Sequence, residues 1–331
     1  MSTSQPVYLL GAGFSKALSS DMPTLLQLGE MLKPDLERAF GAADWRVRAG
    51  TANFEALLGL LAQDQPWLDD ATNLRNRAAS LELSRRIATV IRECQMRALA
   101  RPMPSWLEPL IRRWNMENAR LLTFNYDTLV EKAYVTVSPD PSLQDYAHGA
   151  LYPVAVPTVE HRSGQGLAIP RPLSGMRLAK LHGSINWYYS GAQSFFGESI
   201  YDVGIRPDWD SSPTDKFQTK AHLVLDKVPL IVPPSSSKND FFSNEAVRGN
   251  WRVARRWLEE RRELTVIGYS APPSDLVVRG LMSAVSLERL TLIDVDNAVS
   301  DRYGEFLPGT PIDTRFILPA DPLAAYCSAF G

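Results

Sequence analysis

Histidine and cysteine are scarce in this chain: 331 residues hold four histidines and two cysteines, Cys94 and Cys327. Two thiols cannot build a disulfide framework or a four-cysteine zinc site. They are expected as buried thiols, and no metal is expected. His148, His161 and His222 stand in loop-like stretches without metal-ligand spacing. Charge of either sign is also lacking in excess. The formal net charge is −2, so no global basic field draws the chain onto nucleic acid. No apolar run approaches the roughly 18 residues of a membrane span. The opening "MSTSQPVYLLGAG" lacks the basic flank and long apolar core of a secretion signal. A cytoplasmic protein is expected, with neither membrane nor nucleic acid as a direct partner.

What is present is ordinary in amount and orderly in pattern. Hydrophobic residues make up 45% of the chain, enough at this length for a sizeable core. "PVYLLGAGFS" reads as a short buried strand, Val7 to Leu10, entering a glycine turn. Asp21 and Thr24 are candidate caps for a helix through "LLQLGEML". From Asn53 to about Met116 the pattern is helical, with Leu74, Ala78, Leu81, Ala88, Ile91 and Ala98 near helical spacing. Pro102 and Pro104 break that run, and Ser105 could cap the next helix. "ARLLTFNYD" returns to strand character, with a helix from Thr128. Residues 136–176 read as loop, "RLAKLHGS" as a strand, and 190–227 as an irregular polar insertion. Then "VPLIVPP", "ELTVIGYS" and "LERLTLIDVDN" read as strands separated by helices. Alternation of strand and helix predicts an α/β fold, a Rossmann-like parallel sheet covered on both faces. The whole chain, 1–331, is read as one domain carrying a helical block, 53–118, inserted into that sheet's connectivity.

Ligands of open parallel sheets sit at the carboxyl ends of the strands. Five candidate strands end in suggestive residues: Gly11-Ala12-Gly13-Phe14-Ser15, Thr123 to Asp127, His182-Gly183-Ser184, Gly268-Tyr269-Ser270, and Asp294 to Asn297. In a parallel sheet these ends share one rim. Gly11 and Gly13 would let the backbone approach a phosphate, or would simply make a strand-to-helix turn. The dehydrogenase fingerprint is absent, since Lys16 stands at the third glycine position. Asn125 and Asp127, two apart, would face the same way on an extended segment and address one polar ligand. The same two residue types also cap helices. A histidine at a strand tip is either a satisfied structural group or a general base with a near-neutral pKa. In the helix around Trp251, Val247, Ala254 and Leu258 form an apolar stripe, and Arg248, Arg252, Arg255 and Arg256 a solvated face. No G-x-S-x-G hydrolase elbow occurs.

Taken in order, these motifs resemble the sirtuins. Gly11 to Ser15 is similar to their Gly-Ala-Gly-x-Ser turn, Thr123-Phe124-Asn125-Tyr126-Asp127 to their Thr-Gln-Asn-x-Asp, and His182-Gly183 to their His-Gly. Gly268-Tyr269-Ser270 is similar to a later Gly-x-Ser. "PPSSSKNDF", a helix with a central Trp, and "VIGYSAPPSD" are closer still to the sirtuin-like NAD-cleaving proteins of bacterial anti-phage systems. The four zinc-binding cysteines of deacylase sirtuins are absent, Phe124 replaces the usual Gln, and Met22-Pro23-Thr24 only partly matches the cofactor-loop segment. The resemblance implies an NAD+ hydrolase that releases nicotinamide and ADP-ribose and acts in anti-phage defence by depleting NAD+. The other readings it allows are a deacylase, an ADP-ribosyltransferase or a non-catalytic nucleotide sensor. It implies that Asp127 holds the carboxamide, Asn125 the ribose or the attacking water, and that His182 takes a proton. Gly11, Ala12, Gly13, Phe14, Ser15 and Ser270 would hold phosphates, and Asn297 would lie near the adenosine ribose. Thr123, Ser184, Gly268, Tyr269 and Asp294 complete the expected NAD+ contacts. An off-switch is expected from assembly, as a homo-oligomer or with a co-encoded defence protein. The docking face would be the arginine-rich side of the 72–100 helix: Arg75, Arg77, Arg85, Arg86, Arg92 and Arg97.

Overall fold

The structure, a computed structural model, describes residues 5–40, 54–137, 144–160, 174–190, 200–205, 209, 220–232, 244–273 and 275–329. A six-stranded parallel sheet organises it. Its strands are β1 (Val7–Leu10), β2 (Arg120–Thr123), β3 (Arg177–Lys180), β7 (Glu263–Ile267), β8 (Arg289–Asp294) and β9 (Ile312–Ile317). Their spatial order is β3-β2-β1-β7-β8-β9. Counted along the chain within this sheet, that is the doubly wound Rossmann order, which reverses between β1 and β7.

The strands are short apolar runs buried on both sides, as parallel strands are. Side chains alternate between faces, so the one sheet builds two cores. Tyr8, Leu10, Leu121, Leu178 and Ile267 join the first. Val7, Leu9, Leu122, Ala179 and Val266 join the second. The first core is completed by α1 (Ala12–Leu18), α2 (Leu25–Phe40), α3 (Phe54–Ala62), α4 (Asp70–Leu99), α5 (Leu107–Met116), α6 (Leu129–Val137) and α10 (Pro322–Ser328). The second is completed by α7 (Glu245–Arg261), α8 (Leu276–Ala284) and α9 (Val299–Phe306). Helices therefore cover both faces, and the expected α/β architecture is what forms. Among the described residues no helix is long and apolar enough to cross a membrane.

Helix starts follow local chemistry. Thr24 and Gln27 exchange backbone-to-side-chain hydrogen bonds of 3.0 and 3.5 Å, a capping box opening α2. Asp21 plays no part in it and pairs with Arg101 at 2.7 Å. The α4 cap is Asp69, which accepts from the Thr72 N–H at 2.6 Å. Trp106, not Ser105, stands at the α5 N-cap position. Within α4 the buried stripe runs through Leu83, Ile87, Ile91, Cys94 and Ala98, while Leu74 and Ala78 lie on the exposed side. Sequence spacing finds a stripe without fixing its phase over a helix of eight turns.

The α4 arginines are matched within the chain. Arg86 pairs with Asp35 at 2.8 Å, Arg77 with Asp64, and Arg85 with Glu82 at 3.6 Å. Arg92 donates to the Ile185 carbonyl and the Tyr188 hydroxyl at 2.6 and 2.8 Å. Arg97 reaches Cys94 Sγ at 3.2 Å, and Arg75 the Thr72 hydroxyl at 2.8 Å. The face expected to await a partner is largely answered by neighbours already present.

Three further differences from the sequence reading concern strands. "VPLI" forms β6 (Val228–Ile231), but outside the parallel sheet. It pairs antiparallel with β4 (Gly183–Tyr189), which also pairs with β5 (Tyr201–Asp202), in a separate three-stranded sheet. Pro229 lacks an N–H and suits an edge strand such as this one. The aromatic run after His182 is therefore a buried strand. Strand β9 went unread because "IDTRFI" is half-exposed and polar, with Arg315 paired to Asp313 at 2.7 Å. Short 3₁₀ segments, Gln144–Leu151 and Lys220–Val224, interrupt the two stretches read as irregular. "PPSSSKNDF", His161 and much of 190–227 lie outside the described residues.

Gly183 has φ +81°, and a Cβ there would lie 2.1 Å from the Leu230 carbonyl oxygen. Gly183→Ala should cost about 3 kcal/mol, from left-handed strain and the displacement of β6. Gly280, inside α8 with open space around it, should behave oppositely, Gly280→Ala adding about 0.5–1 kcal/mol. Denaturant unfolding of both variants beside the parent checks the contrast.

Candidate functional site

The order reversal between β1 and β7 is where two strand tips meet. The Gly11 N–H donates to the Ile267 carbonyl at 3.0 Å and the Gly13 N–H to the Gly268 carbonyl at 2.8 Å. A Cβ on Gly11 would lie 2.4 Å from the Gly268 oxygen, and one on Gly13 would lie 2.7 Å from the Gly268 Cα. Gly268 itself has φ +62°, and its Cβ would lie 2.4 Å from the Phe14 nitrogen. The glycines that the sequence reading reserves for a phosphate are thus needed first for each other. Ala12 opens α1, and Phe14 is wholly buried in the first core.

Around this crossing a polar cluster is tied together. Thr123 donates its hydroxyl to the Leu10 carbonyl at 3.1 Å and accepts the Asn125 N–H at 3.1 Å, which turns the chain as β2 ends. Asn125 Nδ2 donates to the Gly11 carbonyl at 2.8 Å and to Ser15 Oγ at 2.9 Å. The Ser15 hydroxyl donates to Asp127 Oδ2 at 2.7 Å. Asn125 and Asp127 therefore face the same way, as two-residue spacing predicts, and share Ser15. The cap reading is realised too, because Asp127 Oδ1 accepts the Leu129 N–H at 3.1 Å at the start of α6. Burial pushes the Asp127 carboxyl above its usual range, against the pull of the Lys180 charge and the Ser15 hydrogen bond.

Behind this cluster lies an ion pair that no motif announced. Lys180 Nζ donates to the Asp127 carbonyl at 2.6 Å and to Glu131 Oε1 at 2.9 Å, and both side chains are 1% exposed. The Tyr152 hydroxyl donates to the same carboxylate at 3.1 Å. Burial raises the Tyr152 pKa, so this hydroxyl stays a donor. Lys180 was legible only as a charged residue at the end of a short strand.

His182 occupies the junction of the two sheets, with Leu181 before it and β4 starting at Gly183. It is 2% exposed. Its ring lies among Phe124, Trp251 and Tyr126, with centroid separations of 4.7, 6.3 and 6.5 Å. The junction's backbone is fastened on all sides. Leu181 donates to the Thr123 carbonyl, Trp251 Nε1 to the Leu181 carbonyl, and the Val232 N–H to the His182 carbonyl, each at 2.9 Å. Gly183 is required by its left-handed backbone and by β6, rather than by room for a ligand.

A carboxylate missed by the sequence reading faces His182. Asp275 Oδ2 lies 3.9 Å from His182 Nε2, and both side chains are almost wholly buried. The Tyr269 hydroxyl donates to that same oxygen at 3.0 Å, and Asp275 Oδ1 caps α8 through the Val278 N–H at 3.5 Å. Its signal was available in "GYSAPPSD": an acid closing the loop that leaves a strand tip, just before a helix.

The remaining candidates are more scattered. Ser184 is buried and donates to Asn186 Oδ1 at 2.5 Å, joining a chain through Asp202 to His148. Tyr269 is buried and supports Asp275, while Ser270 is exposed and its carbonyl accepts from Arg302 Nε at 2.9 Å. Asp294 ends β8, with its pKa raised chiefly by burial, and accepts the Asp296 N–H at 3.0 Å. Asn297 is exposed three residues further on. A surface hollow of about 580 Å³, lined by Lys16, Met22, Pro23, Leu26 and Gln27, adjoins α1 but includes none of Asn125, Asp127 and His182. Among the described residues no group of three or more His, Cys, Asp or Glu side chains could hold a metal.

No protein-family model matches the chain, and no curated protein matches it. A solved structure from work on the mechanism and regulation of Sir2 enzymes is similar at a TM-score of 0.38 and 11% identity, over 99% of this chain and 92% of that one.

Removing one partner of a buried ion pair leaves an uncompensated charge and costs about 3–5 kcal/mol. Lys180→Met should destabilise by that order, and adding Glu131→Gln should recover part of it. Thermal unfolding of the single and double variants reads the difference.

Proposed function

We propose that this chain hydrolyses the nicotinamide–ribose bond of NAD+, releasing nicotinamide and ADP-ribose. One observation supports this most: Asn125, Ser15 and Asp127 are hydrogen-bonded together at the order reversal, while His182 lies two residues past the end of β3, the strand beside β2. The residue types and their order are those of the sirtuin motifs quoted above.

The donor set suits the substrate. Asn125 Nδ2 is engaged twice within the chain, which leaves Oδ1 as an acceptor for a ribose hydroxyl or a water. The leaving group is already cationic, so the reaction needs no acid. It needs stabilisation of an oxocarbenium-like centre and a placed nucleophile. The water oxygen bonds to the ribose anomeric carbon. The carbon–nitrogen bond breaks, and its electron pair neutralises the pyridinium nitrogen. The water proton passes to His182. Asp127 would hold the nicotinamide carboxamide. Phe124, Trp251 and Tyr126 wall in a histidine that is 2% exposed, which favours water over a polypeptide acceptor. The absence of the deacylase cysteines from the sequence agrees. We further propose that NAD+ depletion serves anti-phage defence, in an assembly with further copies or a co-encoded protein. The support for that role is the likeness of "PPSSSKNDF" and "VIGYSAPPSD" to such proteins.

Purified protein given NAD+ should form nicotinamide and ADP-ribose in equal amounts, followed by chromatography. Asn125→Ala and His182→Ala should each lower the rate by about 10²-fold or more, in line with loss of a general base or its water, in a protein that still folds. A rate that depends on an acyl-lysine peptide would replace hydrolysis with deacylation. Tight NAD+ binding without turnover, alone and with co-encoded proteins, would leave a sensor. In cells, the His182→Ala chain should abolish both protection and the fall in NAD+ after infection.

A further inference from the structure

We propose that Asp275 is a positioning residue for His182: its buried carboxylate fixes a counter-charge beside the imidazole and raises its basicity. Where this concerns turnover it rests on the hydrolase reading; where it concerns the imidazole itself it does not. The separation of 3.9 Å between Asp275 Oδ2 and His182 Nε2 is beyond hydrogen-bond reach. The coupling is therefore coulombic, and a site screened from water strengthens it. Asp275 cannot turn away. Its Oδ2 accepts the Tyr269 hydroxyl, and its Oδ1 caps α8. Tyr269 is itself fixed, stacking on Phe124 at 4.6 Å while its carbonyl accepts from the Tyr303 hydroxyl at 3.2 Å. Phe124 in turn packs on His182. Among the described residues, side chains that face the imidazole come from Asp275 in the β7–α8 loop, Phe124 and Tyr126 in the segment after β2, and Trp251 in α7. Of these, Asp275 carries the charge.

The physical role follows from the proton that His182 takes up. An imidazolium formed in this enclosure would be strongly disfavoured without a counter-charge. Asp275 supplies it at fixed distance, as a carboxylate does for a catalytic histidine in other enzymes. The consequence can be isolated cleanly. Asn caps helices as well as Asp does, and with its Oδ1 on the Val278 N–H its Nδ2 can donate to the Tyr269 hydroxyl oxygen. Asp275→Asn therefore removes the charge and keeps the cap. Asp275→Ser, which also caps, is the second variant should the first fold poorly.

With four histidines in the chain, ring-nitrogen labelling and NMR resolve His182 directly, assigned by its disappearance in His182→Gln. Its titration midpoint should fall by about one unit in Asp275→Asn and in Asp275→Ser, a tenfold loss of proton affinity, while the other histidines stay put. In turnover, neutral His182 is the active form, so kcat/KM rises with pH through its pKa. Lowering that pKa moves the acid limb down by the same unit, and kcat should drop about ten- to hundredfold with KM unchanged. A His182 midpoint that stays in place in both variants, with the fold intact, overturns the proposal. Absence of NAD+ turnover in the parent overturns the hydrolase reading instead, and leaves the NMR result standing.

Discussion

The crossing of Gly11 and Gly13 over Gly268 is the constraint on which the rest depends. Two strand tips from opposite halves of the doubly wound sheet approach so closely that a Cβ on any of the three would lie within about 2.7 Å of backbone. That approach sets where α1 begins, and hence where Ser15 presents its hydroxyl. It also brings the Gly11 carbonyl within 2.8 Å of the Asn125 amide. The polar cluster is therefore a consequence of backbone geometry before it is a matter of side-chain chemistry. Gly13 N–H, bound to Gly268, is engaged inside the protein rather than held out to a ligand.

The second organising feature is the direct passage of the parallel sheet into the antiparallel one. Only Leu181 and His182 separate β3 from β4, so the histidine has no loop in which to move. Its backbone and its ring are both held, by partners from β6, α7 and the segment after β2. A side chain built into a sheet junction is held in orientation in a way that one on a flexible loop is not, which is what the proposed role as a base would require.

Much of this was legible from residue pattern, and the limits have physical causes. Alternation of apolar runs with helical stripes revealed the parallel sheet and its helices, because parallel strands are buried on both faces and read as continuous hydrophobic runs. The shared rim followed from that topology, and Ser15, Asn125 and Asp127 are indeed tied together there. Pattern could not say that "VPLI" belongs to a second sheet, since four buried residues look alike in either. It missed β9 because an edge strand need not be apolar. It also missed Asp275 and Lys180, whose meaning lies in partners 93 and 49 positions away. The α4 arginines show another limit: a row of charges in the sequence does not disclose its contacts within the chain, here with Asp35, Glu82, Ile185 and Tyr188.

The triple-glycine crossing also changes how kinship and chemistry should be told apart. Because the three glycines answer to one another's backbone, descent would preserve them as a set for reasons of shape. A chain with other residues in place of Asn125 and His182 would still need Gly11, Gly13 and Gly268 to close the crossing. Shared glycines here are thus a record of common architecture. Under the proposed function, it is Asn125, Asp127, His182 and Asp275 that would divide working members of a lineage from retired ones.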